Sequence, residues 1–423
     1  MPKERIYLDN AATTPVAPEV VEIISEVNTK YFGNPSSIHT VGQEARRIVD
    51  DGRRFVAFFI GCEPDEVIFT SGGSESDNLA IRGVIESEKI KVKSGKKPHV
   101  ITSAIEHHAV LHTVQDLEKE GKIEATYLKP DKEGIISVES IKSAIRENTV
   151  LVSIIYVNNE TGAVNPIAKI GDFLSTFNFQ LSTRNKSEKR IYFHTDAVQA
   201  AEFFQIAPEY LKVDLLTFTA HKLHGPKGIG VLYVKKGTKI RAEIAGGSQE
   251  FRLRAGTENI SGIAGLHKAL DLILKDRSDS KDLAKFSDQP ELMSSSVSER
   301  LMKIRDKLIS GIKKEIPDAI LNGSEIHHAP NIANISFLNA EGEAIILNLD
   351  FLGVAVSSGS ACTSRSLEPS HVLSAMGIPP EKAHGSIRFS FGRYTQEKEI
   401  DVVLESLPKI IKKLRDMSPF KAI

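Results

Sequence analysis

Between residues 40 and 260, short apolar runs alternate with segments whose apolar residues recur at helical spacing, and this alternation narrows the possible folds more than any other feature. Residues 43–59 carry Ile48, Val56 and Phe59 on one helical face, 66–70 (EVIFT) reads as a strand, and 75–85 reads as a helix. Further strands are expected at 99–105, 125–128, 151–157, 191–194, 213–218 and 230–234. Between them, Ile167, Ile170, Leu174 and Phe177 mark a helix over 166–177. Such alternation predicts a mainly parallel sheet with helices on both faces, whose ligands bind beyond the carboxyl ends of the strands. The polar stretch 178–189 (NFQLSTRNKSEK) reads as a surface insertion, and 276–298, rich in Ser, Asp and Lys, as a flexible connection. A charged amphipathic helix at 299–316 and strands at 331–338 and 386–391 then suggest a smaller α+β domain.

A chain of 423 residues is long for one core, which favours two domains. Its net charge of −1, with both signs spread along the chain, argues against a dedicated nucleic-acid or membrane-surface binder. No apolar run reaches the roughly 18–20 residues that a bilayer span requires. The first residues, MPKERIYLDNAATTP, have no apolar signal core, so a cytoplasmic protein is expected. Two cysteines, Cys62 and Cys362, are too few for a disulfide framework or a metal site built from cysteine alone.

Several polar clusters fall where the strands end. The segment 219–230 (TAHKLHGPKGIG) places Lys222 just past one apolar run and before another, an odd position for a solvent charge. Burial disfavours an ammonium, and the neutral amine attacks carbonyls. After EVIFT comes Thr70-Ser71-Gly72-Gly73-Ser74, whose glycines and helix start form a phosphate-cradle pattern without the GKS/T of a P-loop. Glu106-His107-His108 follows the next strand, and a histidine there can stack on a planar ring or move protons. The run 158–162 (NNETG) and the run 194–199 (HTDAVQ) follow two more strands. An aspartate at such a strand end, Asp196, can keep a pyridinium nitrogen protonated. An amine nucleophile, a carboxylate for a pyridine, a stacking ring and a phosphate cradle together fit pyridoxal phosphate.

The motifs, taken in order, resemble those of NifS/IscS-type cysteine desulfurases, fold-type I enzymes of the class V aminotransferase family. They are YLDNAATTP, YFGNPSSIHTVGQEAR, FTSGGSESDNLAI, EHHAVL, VNNETG, HTDAVQ, AHKLHGPKGIG, RAGTEN, SSGSACTSRSLEPSHVL and SIRFSFGRYTQEKEID, spread nearly end to end. The resemblance implies a large pyridoxal-phosphate-binding domain at 16–261 with a mainly parallel seven-stranded sheet. It assigns 1–15 and 262–423 to a small domain carrying the cysteine loop. It also implies roles. Lys222 would form the Schiff base and then take the substrate's Cα proton, Asp196 would pair with the ring nitrogen, and His107 would stack on the ring. Asn159 and Gln199 would bond the phenolic oxygen or its neighbours, while Gly73, Ser74, Thr219 and His221 would hold the phosphate. Thr257, in RAGT, would reach in from a second subunit, which implies a homodimer.

Cys362 lies in 357–364 (SSGSACTS), a run of small residues without the apolar neighbours of a packed cysteine. In enzymes of the resembling family a mobile loop brings this thiolate to the sulfur of L-cysteine, leaving a persulfide on the enzyme and releasing alanine. The long polar segment after it resembles the group that passes the persulfide to an iron–sulfur scaffold or sulfur carrier, where Cys362 could also transiently ligate a cluster. In SIRFSFGR, Ile387, Phe389 and Phe391 alternate onto one face and Arg388 onto the other, where its fork suits the substrate carboxylate. Arg393 shares the parity of the apolar set and reads as structural. Ala245 and Phe251 stand where the family commonly has His and Arg. Rival readings are a selenocysteine lyase, another class V transaminase and a degenerate partner-binding subunit.

Overall fold

The computed structural model describes residues 5–88, 96–185, 190–278, 292–358 and 369–417. A short strand β1 (Ile6–Tyr7) leads into helices α1 (Pro18–Lys30) and α2 (Thr40–Ile60). Helix α2 starts where the His39 ring accepts the Gly42 N–H, and it stops at Gly61, whose φ of 72° ends the helical path. The alternating region follows: β2 (Val67–Thr70), α3 (Gly73–Glu88), β3 (His99–Ser103), α4 (His108–Lys119), β4 (Glu124–Leu128), α5 (Val138–Ala144), β5 (Thr149–Ser153), α6 (Ile167–Asn185), β6 (Tyr192–Asp196), α7 (Pro208–Leu211), β7 (Leu215–Thr219) and β8 (Gly230–Val234). These strands form a seven-stranded sheet in the order β2-β8-β7-β6-β5-β3-β4. The pairs β4/β3, β3/β5, β5/β6 and β6/β7 are parallel, and β8 runs against both of its neighbours.

Alternate residues of these strands face opposite cores, as the two-residue period of a strand requires. Val100, Leu151, Leu215 and Leu232 pack with Leu79 and Val84 of α3 and Val110 and Val114 of α4. Ile101, Val152, Phe193, Leu216 and Val231 pack on the other side with Val56, Ile170 and Ile263. A strand covered on both faces is apolar at most positions, which is why these segments read as near-continuous runs.

Helix α8 (Ile260–Ser278) lies against α1 and α2. It comes so close that a Cβ on Gly52 would sit 2.4 Å from Ile263 Cγ2. Beyond it come α9 (Ser296–Glu315), β9 (Ile320–Asn322), β10 (Ile332–Ser336), α10 (Gly342–Phe351), β11 (Val354–Ala355), α11 (His371–Ala375), α12 (Pro380–Ala383), β12 (Ser386–Ser390) and α13 (Glu397–Met417). β12, β10 and β9 form an antiparallel sheet, and β1 pairs in parallel with β11. The N-terminal strand also touches β12: the Ser390 N–H donates to the Leu8 carbonyl at 2.8 Å, and Ala11 N–H donates to Ser390 Oγ at 2.9 Å.

Two sequence expectations change. The polar stretch from 178 is helical as far as Asn185, because α6 runs through it. Asn178 receives the Ile191 N–H and donates to the Ile191 carbonyl, both at 2.9 Å, so the polar face of the helix fixes the start of β6. Ser182 and Thr183 hydroxyls satisfy themselves on Phe179 and Gln180 carbonyls. The flanks of the expected connection at 276–298 are helical as well. α8 extends to Ser278, and Ser295 caps α9 by accepting the Ser298 N–H at 3.0 Å. Among the described residues no helix is long and apolar enough to cross a membrane.

Candidate active site

The carboxyl ends of β5, β6 and β7 and the amino end of α3 surround one cavity of about 470 Å³, lined by Lys222, Asp196, His107, Asn159, Gln199 and Arg388 among others. A larger groove of about 910 Å³ opens at the amino ends of β6 and β7, beside Cys62, Arg190 and Asp214. It lies at the wrong end of the parallel strands for ligand chemistry, and burial pushes the Cys62 thiol up to about 12.

Lys222 closes a single 3₁₀ turn, Ala220–Lys222, directly after β7. The turn is tight because Leu223 and Gly225 N–H groups both return to the Ala220 carbonyl, at 2.8 and 3.0 Å. A Cβ on Gly225 would lie 2.8 Å from Ala220 Cβ, so only glycine fits there. The Lys222 amine donates to the Ala11 carbonyl and to the Ala12 carbonyl at 2.6 Å. Residues 11 and 12 thus form a wall of the cavity, and Gln199 Nε2 braces them through the Ala11 carbonyl at 2.9 Å.

Asp196 ends β6, is 3% exposed, and accepts the Val198 N–H at 2.9 Å. Burial raises its carboxyl to about 6, against the pull of that N–H and the Lys222 cation. His107 sits at the start of α4 and accepts the Ala109 N–H on Nδ1 at 3.2 Å, which assigns its proton to Nε2. Burial, and then Lys222, lowers its pKa to about 4, so the ring is neutral at physiological pH. Beneath them Glu106 is fully buried. It takes the Ser103 hydroxyl at 2.5 Å and the Ile155 N–H at 2.9 Å, yet burial still lifts it to about 8.

At the α3 end, Gly73 and Ser74 line the cavity at the first positions of the helix, where unpaired N–H groups concentrate. A Cβ on Gly73 would meet Val198 Cγ2 at 3.0 Å. Behind the turn, Gly230 of β8 presses on Gly72, and a Cβ there would stand 2.5–2.8 Å from Gly72 backbone atoms. Thr219 and His221 line the same end. Their polar atoms are already engaged, Thr219 Oγ1 donating to the Ile229 carbonyl at 2.9 Å and His221 Nδ1 lying 3.2 Å from Thr13 Oγ1.

At the opposite end, Arg388 is 3% exposed while its strand neighbours Ile387 and Phe389 are in the core. Its guanidinium donates to the Asn159 carbonyl at 2.8 Å and to Asp9 at 2.9 Å. Arg393 instead ion-pairs with Asp276. Thr257 is exposed and does not line this cavity. Cys362 and the rest of 359–368 lie outside the described residues.

The motif reading missed three features. Asp77, on α3 one turn past Gly73, is 1% exposed beside Asp196. His371 joins Glu106 through its carbonyl at 2.9 Å and packs on His108, which stacks in turn on His112. Asp9, inside the YLDN motif, accepts from Arg388. The i, i+4 spacing of Gly73 and Asp77 was the one available signal for the first.

The family model for class-V aminotransferases matches residues 6–403. The chain belongs to that family. A cysteine desulfurase IscS of Dictyoglomus turgidum is 46% identical over 419 residues, covering 99% of this chain and 98% of its own length. One of Methanosarcina thermophila is 44% identical over 414 residues, covering 98% and 94%. Among solved structures, a NifS-like protein superposes with a TM-score of 0.83 at 33% identity, over 97% of this chain and all (100%) of that one. A structure described as SspA in complex with cysteine gives 0.75 at 32%, over 92% and 100%.

This class-V aminotransferase has the fold-type I architecture and takes pyridoxal phosphate as its cofactor. The cavity suits that group. It offers a lysine amine, a buried carboxylate, a neutral imidazole and a glycine-lined helix start that a Cβ would crowd. Its walls also leave Asp77 Oδ1 and Arg388 Nε buried without hydrogen-bond partners.

Proposed function

We propose that the chain is a cysteine desulfurase that removes sulfur from L-cysteine, yields L-alanine and carries the sulfur as a persulfide on Cys362. The observation that carries this reading is the gathering of Lys222, Asp196, His107 and Arg388 around one cavity in a chain nearly half identical to cysteine desulfurases. When bound, pyridoxal phosphate supplies an electron sink that acidifies the substrate's Cα proton and loosens its carbon–sulfur bond.

The residues divide the remaining work. Gly73 and Ser74 would hold the phosphate at the start of α3, and Thr219 and His221 would join them by turning from Ile229 and Thr13. Asp196 would meet the ring nitrogen, His107 would lie against the ring, and Asn159 and Gln199 would stand at its edge. Arg388 holds the substrate carboxylate. Lys222 takes the Cα proton, and the adjacent carbonyls of Ala11 and Ala12 orient its amine. The Cys362 thiolate attacks the substrate sulfur. A sulfur–sulfur bond forms, the carbon–sulfur bond breaks, and its electron pair stays with the carbon, which is protonated to give alanine.

The exposed Thr257, with half-exposed Ile244 and Phe251 near it in sequence, supports a homodimer in which Thr257 reaches the partner's phosphate site. The persulfide then goes to an iron–sulfur scaffold or a sulfur-carrier protein. Cys362→Ser decides the reading. It should still change the cofactor's absorbance with L-cysteine while releasing neither sulfide nor alanine. Normal desulfuration by this variant would refute the persulfide route, and Lys222→Ala with retained turnover would refute the site.

A further inference from the structure

Asp77 has no role in the chemistry described so far, yet it stands at its centre. An aspartate four residues past the start of a helix is ordinarily solvated. Here it is 1% exposed, because α3 packs on the sheet face formed by β6, β7 and β8. Side-chain oxygen atoms of Asp77 and Asp196 and a ring nitrogen of His107 all fall within 4.8 Å of one another. Two buried carboxylates at that separation cannot both ionise cheaply, since each disfavours the charge of the other.

Among the described residues no cation is seen to compensate Asp77. His194 Nε2 approaches Asp77 Oδ1 at 3.5 Å. His194 is held as a neutral ring, with Nδ1 2.8 Å from Ser153 Oγ, Nε2 3.2 Å from Thr217 Oγ1, and burial pressing its pKa to about 3. Both ring nitrogens thus have hydroxyl partners, and Thr217 favours charge on Asp77 without outweighing its burial. Glu106, a third acid, also faces the pair and adds to the cost of ionising Asp77. Among the described residues Lys222 is the cation that acts on Asp196 and His107. Asp77 Oδ1 is left buried without a partner, which is where a proton would sit.

We propose that Asp77 and Asp196 retain one proton between them, so that Asp77 is a positioning residue that keeps a single negative charge at the end of β6. Asp196 can then carry that charge toward the cofactor's ring nitrogen while Asp77 stays neutral beneath it. The inference rests on the assignment of Asp196 to the ring nitrogen for its meaning, and on the carboxyl pair alone for its test.

The test is infrared difference spectroscopy of the full-length holoenzyme and of the cofactor-free full-length chain at neutral pH. Wild type minus Asp77→Asn should show a protonated-carboxyl C=O band that the variant has lost. Asp196→Asn should lose the same band, because the remaining carboxyl of the pair then ionises alone, and the double variant should lose nothing more. An unchanged band in Asp77→Asn would mean that Asp77 is ionised, and the proposal falls. A band lost in Asp77→Asn but kept in Asp196→Asn would mean that burial alone protonates Asp77, which refutes the sharing. A second readout guards against a fold defect. A shared proton makes the folded pair bind protons more tightly than the unfolded chain, so wild-type stability falls as pH rises past the ordinary carboxyl range. The thermal midpoint of Asp77→Asn should therefore gain on wild type between pH 5 and 8. A constant gap would overturn the proposal even if cofactor binding and desulfuration proceed normally.

Discussion

Arg388 donates to Asp9 at 2.9 Å across the junction between β12 and the N-terminal strand, so the arginine proposed to hold the substrate carboxylate is already half engaged. Its second nitrogen holds the Asn159 carbonyl, and Nε has no partner. Arg388→Lys keeps the charge and loses the fork. Hydrogen bonds to charged groups are worth about 1.5–3 kcal/mol, so kcat/KM for L-cysteine should fall roughly 10- to 150-fold, mostly through KM. Steady-state alanine production checks this, and an unchanged KM would show that the carboxylate binds elsewhere.

Gly230 supports the proposed phosphate cradle from behind. A methyl group there would sit 2.5–2.8 Å from the backbone of Gly72, which has no flexible side chain to yield. Gly230→Ala should cost about 1–3 kcal/mol of stability, as overpacking does. It should also weaken pyridoxal phosphate binding, because the shift falls on the turn before α3. Cofactor titration of the stripped protein and thermal unfolding together measure both effects.

Glu106 makes a prediction with a defined sign. Its folded-state carboxyl is raised to about 8 by burial, above the ordinary value near 4.5. The folded chain therefore binds this proton more tightly than the unfolded chain, and the contribution to stability is lost as pH rises from about 4.5 to 8. Glu106→Gln removes the titration, so its stability relative to wild type should rise over that window. Denaturant midpoints at pH 5 and pH 9 report the difference, and a parallel pair of curves would show that Glu106 titrates normally.

The depressed histidines give the acid limb. Burial lowers His107, His221 and His224 to about 4, below the ordinary 6.5. The unfolded chain takes up these protons first, so the folded state should lose stability as pH falls from 6.5 toward 4. His224→Gln removes one of these titrations away from the reacting groups. It should flatten the acid limb without changing the alkaline side, as thermal scans across that range would reveal.

Arg53 and Glu250 form a buried ion pair at 2.6 Å, and Glu250 also accepts the Phe69 N–H at 2.8 Å. The pair ties α2 and β2 to the segment that leads to Thr257. Glu250→Ala strands a buried guanidinium and should cost about 3–5 kcal/mol, whereas replacing both partners by apolar residues should cost much less. Urea denaturation of the single and double variants separates the two outcomes.

The central sheet was readable because β5, β7 and β8 are buried along their whole length, and residues buried on both faces leave uninterrupted apolar runs. The end of α6 was not, since an exposed helix of Ser, Thr and Asn looks like a loop when its hydroxyls bond within the helix. Lys222 and Asp196 were legible because a charge directly after an apolar strand has no ordinary reason to be there. Asp77 was hidden for the opposite reason: an acid near a helix start is commonplace, and only the packing of α3 on the sheet face makes this one buried. Asp9 escaped because its partner Arg388 is 379 positions away, a separation that no local pattern encodes.

That separation brings the two ends of the sequence together at one wall of the cavity. Asn10 bonds the Ser390 carbonyl 380 residues later, and Ala11 leans on the hydroxyl of the same serine while its carbonyl receives the Lys222 amine. Thr14, Pro15 and Ala17 meanwhile dock on His221 and His224 of the lysine turn itself. Residues 11 and 12 are therefore clamped between that turn and β12, and the wall beside the Lys222 amine is complete only where the first and last parts of the sequence meet.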